Sequence, residues 1–147
     1  MARYVTSVRT QRSVADAFAY MADLRNFAEW DPGVSKVVQV EGDGAGPDAV
    51  FDVTLSGRRA TTLRYRTVEY TKPNGLLVVA DTSLLRSTDR VTVRADGDAT
   101  VVTYDADLSL KGPLRLAGPL LAIAFKRIGD RAAAGLLRVL DGEVAPS

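Results

Sequence analysis

The sequence predicts an α+β domain in which a curved antiparallel sheet of six or seven strands wraps a long C-terminal helix. Three observations carry that prediction. Most of the chain alternates apolar and polar residues in short runs separated by turn chemistry, which is the pattern of antiparallel strands. Two short stretches of helical period follow the first such run, and a much longer one ends the chain. At 147 residues the length suits one domain with a single core rather than two.

The elements follow in order. Residues Arg3 to Gln11 mix β-branched and polar side chains, as a strand does. The period then changes: Ser13 can cap a helix, Asp16 lies in its first turn, and Val14, Ala17, Phe18 and Met21 fall on one face. Asp23 can cap a second short helix carrying Leu24, Phe27 and Ala28, which Pro32-Gly33 stops just after Trp30. Strands are predicted over Val34 to Val40, Ala49 to Leu55, Arg59 to Thr71, Leu76 to Thr82, Arg90 to Ala95 and Thr100 to Leu110. Between them lie a Gly-rich loop ending at Pro47, Ser56-Gly57, Lys72-Pro73-Asn74-Gly75 and Asp96-Gly97-Asp98. From about Gly112 to Leu140 the helical period returns, with Leu114, Leu121, Phe125, Ile128, Ala132, Leu136 and Val139 forming one stripe. Leu116, Leu120 and Ile123 lie off that stripe, so the early part of this helix calls for cover on more than one side.

Composition excludes several functions. The chain has neither cysteine nor histidine, which removes disulfides, thiolate nucleophiles, cysteine- or histidine-ligated metals and every Ser-His or Cys-His pair. Any chemistry must use carboxylates, phenols, hydroxyls, Lys, Arg, backbone or water. The formal charge of +1, from 19 basic and 18 acidic residues, provides no field for holding nucleic acid. The acidic residues lack the spacing of a calcium loop, and Gly42, Gly44 and Gly46 precede a strand rather than a helix, so neither metal nor dinucleotide is expected and no cofactor is assigned. The first residues alternate and lack an apolar signal-peptide core, and the longest apolar stretch, Leu114 to Phe125, is interrupted and too short to span a bilayer. A cytoplasmic location is the default expectation.

A twisted sheet cannot lie flat on a straight helix, so closing one around the other leaves a gap at one end, which is either plugged by side chains or open as a ligand cavity. Four segments bear on the choice: Phe27-Ala28-Glu29-Trp30-Asp31-Pro32-Gly33-Val34, Tyr70-Thr71-Lys72-Pro73-Asn74-Gly75-Leu76, Asp98-Ala99-Thr100-Val101-Val102-Thr103-Tyr104 and Leu110-Lys111-Gly112-Pro113-Leu114. With the order of elements, they resemble the polyketide cyclase/dehydrase branch of the START-like (SRPBCC, helix-grip) superfamily over essentially the whole chain. The resemblance implies a helix-grip cavity for hydrophobic ligands such as lipids, polyketides or aromatic compounds. It does not imply one function, because members of this kind include cyclases that move protons with pocket side chains as well as carriers and accessory binders.

Alternation along the predicted strands nominates the residues facing such a cavity. Phe51, Val53, Leu63, Tyr65, Val91, Tyr104, Leu121 and Phe125 are expected on the inner side, with Trp30 near the mouth, where it either lines a ligand or seals the helices onto the sheet. Tyr65 and Tyr104 are candidates to hydrogen-bond a ligand carbonyl or protonate an enolate; the alternative for each is a core tyrosine satisfied by backbone. Asp89 shares the face of Val91 and Val93 if its strand begins early enough; otherwise it is a strand-end residue in water. Asp81 is a weaker case of the same kind. Arg64 and Arg66, with Arg58 and Arg59 nearby, are expected on the solvated face. Gly118-Pro119 and Gly129 admit either a bend or gate in the helix or simple packing.

Three functional readings result. The first is a noncatalytic binder or carrier of a small hydrophobic molecule. The second is a cyclase- or dehydratase-type enzyme with Tyr65, Asp89 and Tyr104 as its acid–base groups, and their convergence inside a cavity would favour it. The third is a partner-binding or membrane-surface module, or a homodimer, formed through the apolar surface near Leu116 to Ile123.

Overall fold

The computed structural model describes residues 2–57 and 61–145. Strand β1 (Ala2–Thr10) is followed by helix α1 (Val14–Ala22), a 3-10 turn (Leu24–Asn26) and the single-turn helix α2 (Phe27–Trp30). A meander then runs through β2 (Val34–Glu41), β3 (Val50–Leu55), β4 (Thr61–Thr71), β5 (Gly75–Asp81), β6 (Leu85–Asp96) and β7 (Ala99–Leu110). A 3-10 segment (Gly112–Ala117) leads into the long helix α3 (Gly118–Val139), and the short β8 (Glu143–Val144) closes the described chain. All the strands form one antiparallel sheet in the order β2-β3-β4-β5-β6-β7-β1-β8.

The caps follow the sequence chemistry. The Ser13 hydroxyl accepts from the Asp16 N–H at 3.1 Å, and the Asp23 carboxylate accepts from the Arg25 N–H at the same distance. Register shifts in the β2–β3 pair and between Thr67 and Glu69 of β4 bend the sheet, while β6 and β7 pair without interruption from Leu85↔Leu110 to Asp96↔Ala99.

Helix α3 is held firmly only in its C-terminal half. Gly129 lies against the Tyr4 ring and Gly135 against the Trp30 carbonyl, so small residues let the helix approach β1 and α2 closely. Tyr4 donates to the Asp130 carboxylate at 2.7 Å, Arg138 donates to the Glu29 carbonyl at 2.9 Å, and the last turn is capped by Thr10 Oγ1 donating to the Leu140 carbonyl at 2.7 Å. Gly129 is therefore a packing residue. The N-terminal half bridges open space instead, with Leu121 and Phe125 half-buried and Leu116, Leu120 and Ile123 exposed.

The structure departs from the sequence expectation at three places. The described residues form eight strands rather than six or seven, since β8 returns to pair Val8↔Val144 and Arg9↔Glu143. β6 begins at Leu85, not Arg90, because the Thr82 hydroxyl accepts from the N–H groups of Leu84 and Leu85 and turns the chain there. Among the described residues nothing covers the outer side of the start of the C-terminal helix, where Leu116, Leu120 and Ile123 are exposed. The predicted fourth strand began at Arg59, and Arg58 and Arg59 lie outside the described residues.

Candidate functional site

Between the sheet and the N-terminal half of α3 lies a cavity of about 440 Å³, within the range of small-molecule sites. Its floor comes from alternate residues of adjacent strands: Val53 and Leu55 of β3, Leu63 and Tyr65 of β4, Ser87 and Asp89 of β6, and Tyr104, Ala106 and Leu108 of β7. Leu121, Phe125 and Ile128 of α3 form the roof, and Phe27 with the Asp31-Pro32-Gly33 turn closes one side. The helix spans the sheet without filling the hollow, so the predicted gap is open.

Most of this lining is apolar, and four of its polar side chains form a connected group on β4, β6 and β7. Tyr104 donates its phenol to Asp89 Oδ2 at 2.5 Å, Tyr65 donates to Ser87 Oγ at 2.8 Å, and Ser87 Oγ in turn lies 3.4 Å from Asp89 Oδ1. Strand register explains the convergence. In β6 and β7 Asp89 pairs with Ala106 and Val91 with Tyr104, so the phenol reaches Asp89 diagonally. Tyr65 must reach across β5, where Arg66 pairs with Val79 and Ala80 with Ser87, and the small Ala80 leaves the ring room. Tyr65, Asp89 and Tyr104 are all buried, and among the described residues no buried side-chain polar atom lacks a partner.

Burial sets the electrostatics. Asp89 is 4% exposed, and loss of water pushes its carboxyl up from 3.8 to about 6, against the opposing pull of the Tyr104 and Ser87 hydroxyls. Burial, together with the nearby Asp89 charge, raises both phenols, so each stays a protonated donor at neutral pH. A second buried carboxyl, Asp31, lines the same cavity; burial raises it, while its hydrogen bond from the Gly33 N–H at 2.8 Å pulls the other way.

Of the residues nominated from sequence, Val53, Leu63, Tyr65, Asp89, Tyr104, Leu121 and Phe125 line this cavity. Trp30 does not. Its ring stacks on Phe27 at a centroid distance of 4.7 Å and meets Tyr104 edge-on at 5.2 Å, sealing α2 onto the sheet. Phe51 is wholly buried in the core outside the lining, and Val91 borders a separate minor void of about 20 Å³. Asp81 faces outward, where Lys111 at 2.5 Å and Arg86 at 3.2 Å hold its carboxyl below the usual range. Arg64 and Arg66 are solvated and pair with Asp52 and Glu41.

Among the lining residues that were not nominated are four polar ones, Asp31, Ser56, Ser87 and Arg131. Ser87 carried a readable signal, because it shares the parity of Asp89 once β6 is extended to Leu85. Asp31 is inseparable in sequence from the Pro32-Gly33 helix stop beside it. Arg131 lies three residues beyond Ile128 on α3, and its charge set it apart from the apolar stripe from which the lining was read. Among the described residues no cluster of acidic side chains could hold a metal ion, and no helix is long and apolar enough to cross a membrane.

With this geometry the comparisons with known proteins agree. Residues 1–141 match the family described as polyketide cyclase / dehydrase and lipid transport, and the chain belongs to that family. In fold it is similar to a START superfamily protein from Mycobacterium smegmatis, at 12% identity over 96% of this chain and 98% of that one, with a TM-score of 0.75. It is also similar to the Zhui aromatase/cyclase from Streptomyces sp. R1128, at 12% identity over 95% of this chain and 93% of that one, with a TM-score of 0.76. A major latex-like protein from Panax ginseng shares the fold more distantly, at 13% identity over 88% and 97% of the two chains and a TM-score of 0.57. No curated protein matches the sequence significantly.

Proposed function

We propose that this chain binds one small, largely apolar molecule carrying a carbonyl or hydroxyl group, with that group directed to the Tyr65, Ser87, Asp89 and Tyr104 cluster. The observation behind this reading is the segregation of the cavity lining. Leu, Val, Ala and Phe side chains surround most of the space, whereas Tyr65, Ser87, Asp89 and Tyr104 form one hydrogen-bonded group on three strands, apart from the other polar side chains of the lining, Asp31, Ser56 and Arg131. Such a surface favours an amphiphile with one polar end over either a pure hydrocarbon or a sugar. The family description, which joins cyclase and dehydrase activity with lipid transport, is compatible with ligands of this class.

Trp30 provides the measurement, because its ring lies 5.2 Å from that of Tyr104 and it is the only tryptophan. Titration of the full chain with 2-naphthol should change its fluorescence saturably. Naphthalene, which has the same carbon skeleton without the hydroxyl, should bind about fivefold more weakly, the worth of one hydrogen bond. In Tyr104→Phe the preference should disappear. Absence of saturable binding, or an equal response to both compounds in the native chain, would refute the reading.

The convergence of Tyr65, Asp89 and Tyr104 favours a second reading, in which the same site moves protons on its ligand. A carboxyl that ionises at about 6 can take a proton from carbon next to a ketone, and a phenol that stays protonated can donate to the enolate oxygen. This is the acid–base chemistry of a cyclase or dehydratase, carried out without histidine.

A further inference from the structure

The outer face of the cavity's roof carries an apolar stripe that the fold leaves bare. Leu116 is 89% exposed, Leu120 74% and Ile123 61%, and Leu84 in the β5–β6 turn adds another exposed side chain at 59%. The Lys111 N–H donates to the Leu84 carbonyl at 2.8 Å, which brings that turn beside the start of the 3-10 segment. On α3, Leu120, Ile123 and Arg127 are spaced three and four residues apart and share the outer face, while Leu121, Phe125 and Ile128 turn to the cavity. The segment is thus apolar on two faces, one toward the cavity and one toward solvent.

Charge distinguishes among the occupants that could cover this stripe. Between Leu108 and Gly129 the sequence holds Lys111, Arg115, Lys126 and Arg127 and no carboxylate at all, although acidic and basic residues nearly balance over the whole chain. Lys111 and Lys126 are paired with Asp81 and Asp130. Arg115 and Arg127 make no ion pair among the described residues, so their charge faces outward beside the leucines. A second copy of the chain joined about a two-fold axis would set this basic patch against itself. An anionic lipid surface supplies both the missing negative charge and a medium for the apolar side chains.

We propose that the segment from Leu114 to Arg127 docks on anionic lipid bilayers, with Leu116, Leu120 and Ile123 entering the boundary between headgroups and acyl chains and Arg115 and Arg127 contacting lipid phosphates. The docked face is the back of the wall that roofs the cavity, so docking brings the most loosely held side of the chamber against the membrane. The proposal rests on the outer face of the helix and is independent of what the cavity holds.

Sedimentation of the full chain with vesicles tests it. At low salt the protein should pellet with vesicles of equal phosphatidylcholine and phosphatidylglycerol, stay in solution with phosphatidylcholine alone, and be released by added salt. An Arg115→Gln/Arg127→Gln chain should bind the anionic vesicles roughly thirtyfold more weakly, and a Leu116→Ser/Leu120→Ser/Ile123→Ser chain should lose measurable binding. Both variants should keep the native melting temperature and 2-naphthol affinity, since the substituted side chains support neither core nor cavity. Should the triple variant not fold, the arginine variant decides. Failure of the native chain to pellet with anionic vesicles, equal binding to neutral ones, or native binding by a folded triple or arginine variant would overturn the proposal. So would a native dimer that dissociates in the triple variant without any vesicle binding, which would assign the face to a second copy.

Discussion

Gly135→Ala is expected to cost more than about 3 kcal/mol of stability, although it adds only one methyl group and raises helix propensity. Gly135 is where α3 crosses α2, and a Cβ built there overlaps the carbonyl group of Trp30, so backbone would have to yield to backbone. Separating the two helices would also break the hydrogen bond from Arg138 to the Glu29 carbonyl and loosen the Trp30 contacts with Phe27 and Tyr104. For a domain of this size such a loss lowers the melting temperature by about 10 °C. Gly118→Ala serves as the control, because its backbone is helical and nothing lies within 4 Å of the added carbon. Thermal unfolding followed by circular dichroism should leave Gly118→Ala within a few degrees of the native chain; equal effects at the two glycines would show that α3 is not gripped at Trp30.

Asp89→Asn is expected to gain stability relative to the native chain as pH rises from about 4 to about 7. Burial raises the folded-state carboxyl from 3.8 to about 6, so the folded protein favours the protonated, neutral form. The stabilising contribution of that proton is complete below about pH 4, where folded and unfolded chains both hold it. It is lost as pH climbs through about 6, where the folded carboxyl must ionise in a dry site. The interval corresponds to roughly 3 kcal/mol. Carboxyls held low by surface partners, such as Asp81 with Lys111 and Asp52 with Arg64, contribute with the opposite sign, but they are common to both chains and cancel in the difference. Asparagine retains a carbonyl to accept from Tyr104 and has no charge to bury. Urea unfolding of the two chains across this range should show the difference growing in favour of the Asp89→Asn chain; a difference that stays flat would mean that Asp89 is not buried in the native protein. The same variant separates the two functional readings. If the site moves protons, the native chain should accelerate exchange of the α-protons of 2-tetralone into heavy water, and Asp89→Asn should abolish the acceleration. If the site only binds, neither chain should accelerate it.

Much of this architecture was legible because the period of the sequence changes where the structure changes. The alternation of Val102, Tyr104, Ala106 and Leu108 fixed the inner face of β7, and the helical stripe through Leu121, Phe125 and Leu136 separated the last element from the sheet. What escaped depended on long-range contact. The fate of Asp89 turned on whether β6 began at Leu85, a matter decided by the Thr82 side chain in the preceding turn. β8 consists of two residues whose strand character comes from the close approach of Gly142 to Arg9, not from local propensity. Trp30 could not be assigned between ligand and seal until Phe27 and Tyr104 were seen on its two sides. The bare outer stripe of α3 was visible as surplus leucines, but sequence alone required something to cover them.

The central claim is that α3 bridges the bent sheet and leaves beneath it a chamber that a hydrophobic molecule can enter. Native mass spectrometry of the full chain equilibrated with 2-naphthol tests this directly when the native protein is compared with Ala106→Trp, a substitution that grows from β7 into the lining. The expected result is one bound molecule per native chain and none on a variant that still unfolds cooperatively. Equal adducts on both chains, or none on either, would contradict the account.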